Sequence, residues 1–172
     1  MRYEVTINEV PARTVIAKRL EVATDGIGAA LQQTLPEIYA WVARSGVEPS
    51  GEPFVIYHER PSEGSGWHIQ VCAPVSGPAR APTGYVIEEI PATTVATTTH
   101  VGPYDELGAA YSEIEGFIRT HELDVAGPPR ETYLSEPGVP PSETRTRIEF
   151  PVSRVPAWPS LPRSVEPVEP RC

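Results

Sequence analysis

A heptapeptide that occurs twice is the strongest indication of the fold of this chain. Residues 9–15 read Glu-Val-Pro-Ala-Arg-Thr-Val and residues 89–95 read Glu-Ile-Pro-Ala-Thr-Thr-Val, an offset of 80 positions (89 − 9). Gly-Ala-Ala at 28–30 returns at 108–110 with the same offset. Two later blocks match at slightly shorter offsets: 51–57 with 127–133, and 71–75 with 148–152. Because all four blocks keep their order, the sequence indicates a tandem duplication.

Each copy predicts a βαββ unit, so the expected class is α+β. β-branched segments flank Pro11 and Pro91, which predicts a first strand that is bent or bulged at the proline. An amphipathic helix follows, and Pro36 should kink the first of these helices or start a second one. Two strands close each unit, at 54–58 with 67–73 and at 131–134 with 144–150. The apolar helical positions, spaced three and four apart, are Ile27, Leu31, Leu35, Ile38 and Val42 in the first copy and Leu107, Tyr111, Ile114 and Ile118 in the second.

Length and composition favour one acidic globular domain. The chain has 172 residues and a formal net charge of -9, and Lys18 is its only lysine. No cluster of basic residues could neutralise phosphates, so we expect no direct nucleic-acid binding. The halves are expected at about 1–78 and 82–152, and the proline-rich residues 153–172 are expected to form a flexible tail. No signal peptide or membrane-spanning run is visible, which predicts a cytoplasmic protein.

The sequence contains no recognisable metal-binding or dinucleotide-binding motif. The four histidines, His58, His68, His100 and His121, form no HxxxH or HxH pair, and the two cysteines, Cys72 and Cys172, are far apart. Gly26-Ile27-Gly28 lacks the third glycine of a dinucleotide fingerprint. We therefore expect no metal and no cofactor.

The second copy contains three notable motifs: HVGPYDELG at 100–108, GPPRETYLSEP at 127–137 and FPV at 150–152. They resemble the GyrI-like small-molecule-binding family, which is also the effector-binding domain of bacterial AraC-type and MerR-type multidrug-sensing transcription regulators, and the likeness covers residues 1–152. The resemblance implies a SOUL-like fold in which two βαββ halves pack about a pseudo-twofold axis with a ligand groove between them. It also implies an aromatic pocket around one acidic residue that takes lipophilic, cationic or planar compounds. No DNA-binding helix-turn-helix is present, so a stand-alone domain is expected, with a separate regulatory protein as a candidate partner.

Strand alternation selects the candidate site. Glu131 and Tyr133 point to one face of their strand, and the matching positions of the first copy are Val55 and Tyr57. The duplication thus predicts two tyrosines and a single carboxylate, whose burial should raise its pKa unless a cation compensates. The alternative is an ordinary ion pair of this carboxylate with Arg130, Arg145 or Arg147. Further ligand platforms are Trp67, Tyr39 and Trp41, although the last two are adjacent on a helix and at least as compatible with the core.

Three functions stay open at this point. The first is a binding or sensing module for lipophilic cations centred on Glu131. The second, implied by the family, is a hydrolase of cyclopropane-containing alkylating agents, with Glu131 and Tyr133 as catalytic residues. The third and weakest is a gyrase-inhibitory interaction protein. The first two would use the same pocket, so the sequence does not separate them.

Overall fold

The computed structural model describes residues 3–77 and 79–154. In this part of the chain, ten strands form one antiparallel sheet and two helices pack on it. Helix α1 spans Ile27–Ser45 and helix α2 spans Gly108–Thr120. Short 3₁₀ turns lie at Thr24–Gly26, Tyr104–Glu106 and Pro141–Glu143. The strands are β1 (Thr6–Val10), β2 (Arg13–Val22), β3 (Glu48–Pro49), β4 (Phe54–Glu59), β5 (Trp67–Ser76), β6 (Val86–Ile90), β7 (Thr93–Val101), β8 (Leu123–Val125), β9 (Arg130–Tyr133) and β10 (Arg145–Arg154).

The strand order carries the symmetry of the duplication. The sheet runs β1-β7-β10-β9-β4-β5-β2-β6, with β3 paired to β5 and β8 paired to β10. Exchanging each strand with its counterpart in the other copy reads the same order backwards. The pseudo-twofold axis therefore passes between β4 and β9, where Val55 lies opposite Glu131 and Phe54 opposite Thr132.

The prolines divide each predicted bent strand into two separate strands. β1 ends at Val10 and pairs with β7, whereas β2 begins at Arg13 and pairs with β5 and β6. A proline has no N–H to donate, so the ladder stops there and the chain changes neighbours. The first strand of each copy consequently lies at the edge of the other copy's strands. This exchange was not visible in the sequence pattern.

Both helices cover the same face of the sheet, which we call the helix face. Ile38 and Val42 of α1 pack with Ile16, Val55 and Val71 in one buried cluster. A second cluster joins the predicted positions of α2 to β7 and β10; its buried members include Ala110, Ile114, Ile118, Ala96, Ile148 and Phe150. The helical periodicity in the sequence therefore identified the buried sides of both helices.

Pro36 lies inside α1 and does not divide it. The helix continues to Ser45 and ends at Gly46, whose φ of 67° is the left-handed conformation that glycine adopts most easily. Pro36 and Gln32, whose carbonyl would have accepted from residue 36, are both exposed. Water can therefore replace the missing hydrogen bond, so neither a second helix nor a break is needed.

The opposite face, which we call the reverse face, is covered by no helix among the described residues, and it nevertheless contains a buried cluster. Its apolar cluster contains Val15, Ala17, Phe54, Ile56, Cys72 and Ile90. Arg13 on β2 approaches Glu149 on β10 at 4.0 Å, although β5, β4 and β9 lie between their strands in the sheet order. The sheet is therefore curled, with the reverse face on its inside.

The predicted tail lies mostly outside the described residues. β10 includes Ser153 and Arg154, which pair with Asp124 and Leu123 of β8. Residues 155–172 are not described. Across the described ranges, neither helix is long and apolar enough to cross a bilayer.

Candidate functional site

The central residue of the site is Glu131, on β9 beside the pseudo-twofold axis. Its strand neighbour across the axis is Val55 and its neighbour on β10 is Ile148. Both neighbours are fully buried, and Glu131 itself is only 7% exposed. The duplication thus yields one carboxylate facing an apolar counterpart, as strand alternation predicted.

Three tyrosine hydroxyl groups donate hydrogen bonds to this carboxylate. Tyr111 of α2 donates to Oε1 at 2.6 Å, and Tyr57 of β4 donates to Oε2 at 2.9 Å. Tyr133 of β9 also donates to Oε2, at 3.3 Å. A carboxylate accepts about four hydrogen bonds, and residues 3–77 and 79–154 supply three of them, one to Oε1 and two to Oε2.

Burial raises the pKa of Glu131 above its ordinary value of 4.5, and the hydrogen bonds from Tyr111, Tyr57 and Tyr133 counteract this rise. Burial also raises the pKa of Tyr57 and of Tyr111, and the Glu131 charge adds to the effect. The pKa of Tyr133 is raised in the same way. All three phenols are therefore donors, not phenolates, over the physiological pH range.

Further aromatic rings extend the cluster on both sides. Trp67, the first residue of β5, meets Tyr57 edge to face with ring centroids 5.6 Å apart. Tyr104 meets Tyr133 edge to face at 5.9 Å and is 55% exposed. The carboxylate is thus surrounded by phenols, with Trp67 and Tyr104 forming a second layer toward solvent.

A close backbone approach holds Trp67 in place. A Cβ atom on Gly66 would lie 2.4 Å from the carbonyl oxygen of Val22, so only glycine fits without a shift. The Gly66 N–H donates to Glu21 Oε1 at 3.0 Å, and the indole N–H of Trp67 donates to Thr24 Oγ1 at 3.1 Å. The tryptophan ring is therefore anchored to the turn that precedes α1.

The sequence candidates fall into two groups. The structure brings Glu131, Tyr133, Tyr57 and Trp67 together. Tyr39 and Trp41 lie on α1, partly buried against the first core cluster, and neither donates to the Glu131 carboxylate. Their packing corresponds to the core role that the sequence left open.

The ordinary ion pair considered for Glu131 is not formed. Arg147 contacts Glu149 at 3.4 Å, and none of the ion pairs among the described residues includes Glu131. Arg130 and Arg147 occupy strand positions that alternate with Glu131 and Ile148, so they belong to the reverse face. The buried carboxylate is therefore held by neutral donors alone.

Sequence reasoning missed Tyr111 as a site residue and assigned it to the apolar side of α2. Its ring does pack there, edge to face against Phe150 at 5.7 Å. The repeat contained a usable signal, because the offset of 80 matches Tyr111 to Leu31, and only the tyrosine carries a hydroxyl. Tyr104 follows Gly102-Pro103, a sequence typical of a helix entry; it begins a 3₁₀ turn and also contacts Tyr133.

A cavity of about 490 Å³ lies beside this cluster and not at its centre. It is lined by the end of β2, the turn before α1 and the β4–β5 loop; the lining residues are Glu21, Val22, Ala23, Thr24, Pro61, Gly64, Ser65 and Gly66. Glu131 and its three tyrosines are not among them. In the residues that the structure describes, no group of three or more His, Cys, Asp or Glu side chains could hold a metal ion.

A family model described as a GyrI-like small molecule binding domain matches residues 3–153. The chain belongs to the GyrI-like family. Its domain is therefore a small-molecule-binding domain, and the α+β fold expected from the repeat is confirmed. Among curated proteins, none matches the chain.

Solved structures share this GyrI-like fold. The C-terminal domain of EcmrR is similar with a TM-score of 0.80 and 24% identity, over 90% of this chain and 100% of that one. The present chain spans 58% of the EcmrR chain seen in a complex with DNA. A hydrolase encoded by lin2189 from Listeria innocua has a TM-score of 0.64 and 16% identity, over 87% of this chain and 92% of its own. SAV2435 bound to tetraphenylphosphonium has a TM-score of 0.61 and 13% identity, over 89% of this chain and 94% of its own.

Proposed function

We propose that this GyrI-like domain binds lipophilic organic cations at the Glu131 carboxylate. The observation that carries the proposal is a buried carboxylate that is hydrogen-bonded by three phenols and paired with no cation among the described residues. The ligand class and the roles of the individual residues are part of this proposal.

The negative charge of Glu131 favours a cationic ligand. Phenol donors lower the cost of burying Glu131 but do not neutralise it, so the site keeps a net negative charge while the carboxylate is ionised. A cation supplies the missing charge and shifts the pKa of Glu131 back toward its ordinary range. An anionic ligand would meet repulsion in a region of low dielectric constant.

The aromatic rings around the carboxylate favour a large, lipophilic ligand. Tyr57, Tyr111 and Tyr133 present ring faces and edges around the carboxylate, and Trp67 and Tyr104 widen this aromatic surface. Each ring face attracts a cation by roughly 0.5–2 kcal/mol, and a large aryl ligand buries apolar area as well. Tyr104 is the most exposed of these rings, so we place the entrance beside it.

A protein with a similar fold, SAV2435, has been solved with tetraphenylphosphonium bound. At 13% identity the likeness shows the fold alone. It nevertheless supplies a probe with the expected properties: a single delocalised charge inside four aryl rings.

The test compares tetraphenylphosphonium with tetraphenylborate, which has nearly the same shape and the opposite charge. Isothermal titration calorimetry of the full chain should show saturable binding of the phosphonium and at least tenfold weaker binding of the borate. Equal affinity for the two ions would show that apolar area alone drives binding, and the proposal would then be wrong.

A second candidate, hydrolysis of a strained electrophilic ring, is favoured by one specific feature. The raised pKa of Glu131 suits a general base, and the neighbouring phenols stay protonated as proton donors. In this reaction Glu131 takes a proton from water, the water oxygen bonds to a ring carbon, and the cyclopropane C–C bond breaks toward a conjugated carbonyl. A tyrosine hydroxyl then protonates the resulting enolate, and Glu131 passes the proton it took from water to that tyrosine along their hydrogen bond, which restores both groups.

Mass spectrometry separates the two candidates. Incubation of the chain with a cyclopropane-containing alkylating agent should return the compound plus one water, with many turnovers per protein, if the domain is a hydrolase. Recovery of intact compound would identify a binding protein without this activity. Loss of turnover in Tyr133→Phe with cation binding retained would assign the proton donor.

A further inference from the structure

A second charged cluster lies on the reverse face of the sheet, directly behind the Glu131 site. Arg130 precedes Glu131 on β9, and successive side chains of a strand point to opposite faces. Arg13 and Arg147 join Arg130 around the carboxylate of Glu149. Three positive charges and one negative charge therefore lie together on the reverse face of the curled sheet, with Arg130 and Glu149 buried.

Glu149 pairs with two of these arginines and lies opposite the third, Arg130, in the register of β9 and β10. Its Oε1 lies 3.4 Å from Arg147 Nε, and its Oε2 lies 4.0 Å from Arg13 Nη2. Thr132 also donates to Oε2, at 3.4 Å. The Arg13 guanidinium lies 3.9 Å from the centre of the Phe54 ring, which fixes its plane against the apolar part of the reverse face.

Several guanidinium hydrogens of the cluster lack acceptors. Arg130 is only 7% exposed, and its Nε and Nη1 have no hydrogen-bond partner within residues 3–77 and 79–154. The same is true of Arg13 Nε and Nη2. A buried donor without an acceptor, and a buried charge without a counter-charge, are both costly to a folded protein.

Packing does not require these charges. The repeat offsets match Arg130 to Phe54 (130 − 54 = 76) and Glu149 to Cys72 (149 − 72 = 77), and the first copy fills those positions with buried apolar side chains. Replacement of a buried ion cluster by apolar residues is often neutral or stabilising. The cluster, which combines Arg13 of the first copy with Arg130, Arg147 and Glu149 of the second, is therefore a costly arrangement that the symmetry-related positions of Arg130 and Glu149 avoid.

The cluster opens toward solvent on one side. The side chains of Arg147 and Arg13 are 34% and 18% exposed, whereas that of Glu149 is 3% exposed. Burial lowers the pKa of Arg13, and the charges of Arg130 and Arg147 lower it further against the opposing effect of Glu149. A second anion beside Glu149 would reduce this excess of positive charge.

We propose that the reverse face binds a small oxyanion between Arg13, Arg130 and Arg147. The planar guanidinium group offers two parallel N–H donors that match a phosphate or a carboxylate, so either anion has the required chemistry. This site is separate from the cation site, and it lies on the other side of the sheet. The proposed anion site does not depend on cation binding at Glu131, and the two are tested separately.

The experiment is thermal unfolding of the full chain in inorganic phosphate, in acetate and in chloride at matched ionic strength. At an anion concentration about tenfold above its Kd, we expect Tm to rise by roughly 3–6 °C relative to chloride. The phosphate and acetate series show which of the two anions the site prefers. Equal Tm values in all three salts would overturn the proposal.

Two variants separate specific binding from a general salt effect. Phosphate also stabilises proteins by exclusion from their surface, and that effect should be the same in every variant. Arg147→Gln should weaken anion binding roughly tenfold or more, and Glu149→Gln should strengthen it, because one removes and the other adds net positive charge. Arg119→Gln on α2 is the control with the same loss of charge, and it should behave as the original chain.

A phosphate-dependent rise in Tm that is equal in all four proteins would identify a surface effect and overturn the proposal. If Glu149→Gln fails to fold in chloride, its recovery in phosphate but not in sucrose, which acts by exclusion alone, supports the site. Failure to recover in phosphate, or equal recovery in sucrose, counts against it. Isothermal titration with phosphate, which reads binding and not stability, should rank Arg147→Gln below the original chain.

Discussion

Replacement of Glu131 by glutamine tests the charge of the cation site while it keeps the shape of the side chain. The amide oxygen can still accept from Tyr111 or Tyr57, which donate at 2.6 and 2.9 Å in the original site. What is lost is the negative charge. We expect the fold to persist and the affinity for tetraphenylphosphonium to fall.

The expected magnitude follows from the layer of phenols around the carboxylate. A ligand cation separated from Glu131 by one ring lies at roughly 6 Å, where Coulomb's law with an effective dielectric constant of about 20 gives an attraction of about 3 kcal/mol. That energy corresponds to a loss of affinity of roughly 100-fold. Hydrophobic and cation–π contributions should remain, so binding is weakened and not abolished.

The assay is isothermal titration calorimetry of tetraphenylphosphonium against three proteins: the original chain, Glu131→Gln and Glu113→Gln. Glu113 is an exposed residue of α2, so its substitution changes the net charge by the same amount at a distance from the site. The control should bind as the original chain does. If Glu131→Gln also binds within threefold of the original chain, the buried carboxylate does not attract the ligand and our reasoning is wrong.

The hydrogen bonds of Glu131 and the packing of α2 and β2 lead to four more predictions. Cation affinity should fall as the pH drops through the pKa of Glu131, which lies above 4.5, and proton uptake in the same range should make the folded state more stable; titration calorimetry and urea unfolding at several pH values check both signs. Tyr111→Phe removes a donor from the buried carboxylate and should cost about 1–3 kcal/mol at neutral pH but less in acid, as measured by urea unfolding. Ile114→Ala empties a fully buried position of α2 and should cost about 2–5 kcal/mol in the same assay; a value below 1 kcal/mol would contradict the packing described. Gly66→Ala should lower the stability by roughly 1–3 kcal/mol because of its contact with β2, whereas Gly26→Ala, with nothing near its Cβ position, should be close to neutral.

Much of the fold could be predicted because it depends on local patterns. The repeat predicted two equivalent units, and the spacing of apolar residues identified the buried sides of α1 and α2. Alternation along β9 placed Glu131 and Tyr133 on one face. The matching offset then placed Val55 opposite Glu131, since a twofold axis between two antiparallel strands brings equivalent positions together.

Other features could not be predicted from local patterns. Pro11 predicted an interruption, but not that β1 would leave its own copy and pair with β7. That choice depends on which strand edges are free once both units have packed. Likewise, Tyr111 has the spacing of an ordinary helix core residue, and only the packing of α2 on β7 and β10 brings its hydroxyl to Glu131.

Periodicity and the repeat can be recognised along the chain without knowing which segments meet, so they were enough to predict the duplicated architecture and the single carboxylate at its centre. Tertiary structure alone decided what surrounds that carboxylate: three phenols from β4, α2 and β9 on one face of the sheet, and three arginines behind it on the other. These groups come from segments far apart in sequence, and they meet only because the antiparallel pairing at the axis and the curl of the sheet bring them within hydrogen-bond or ion-pair range.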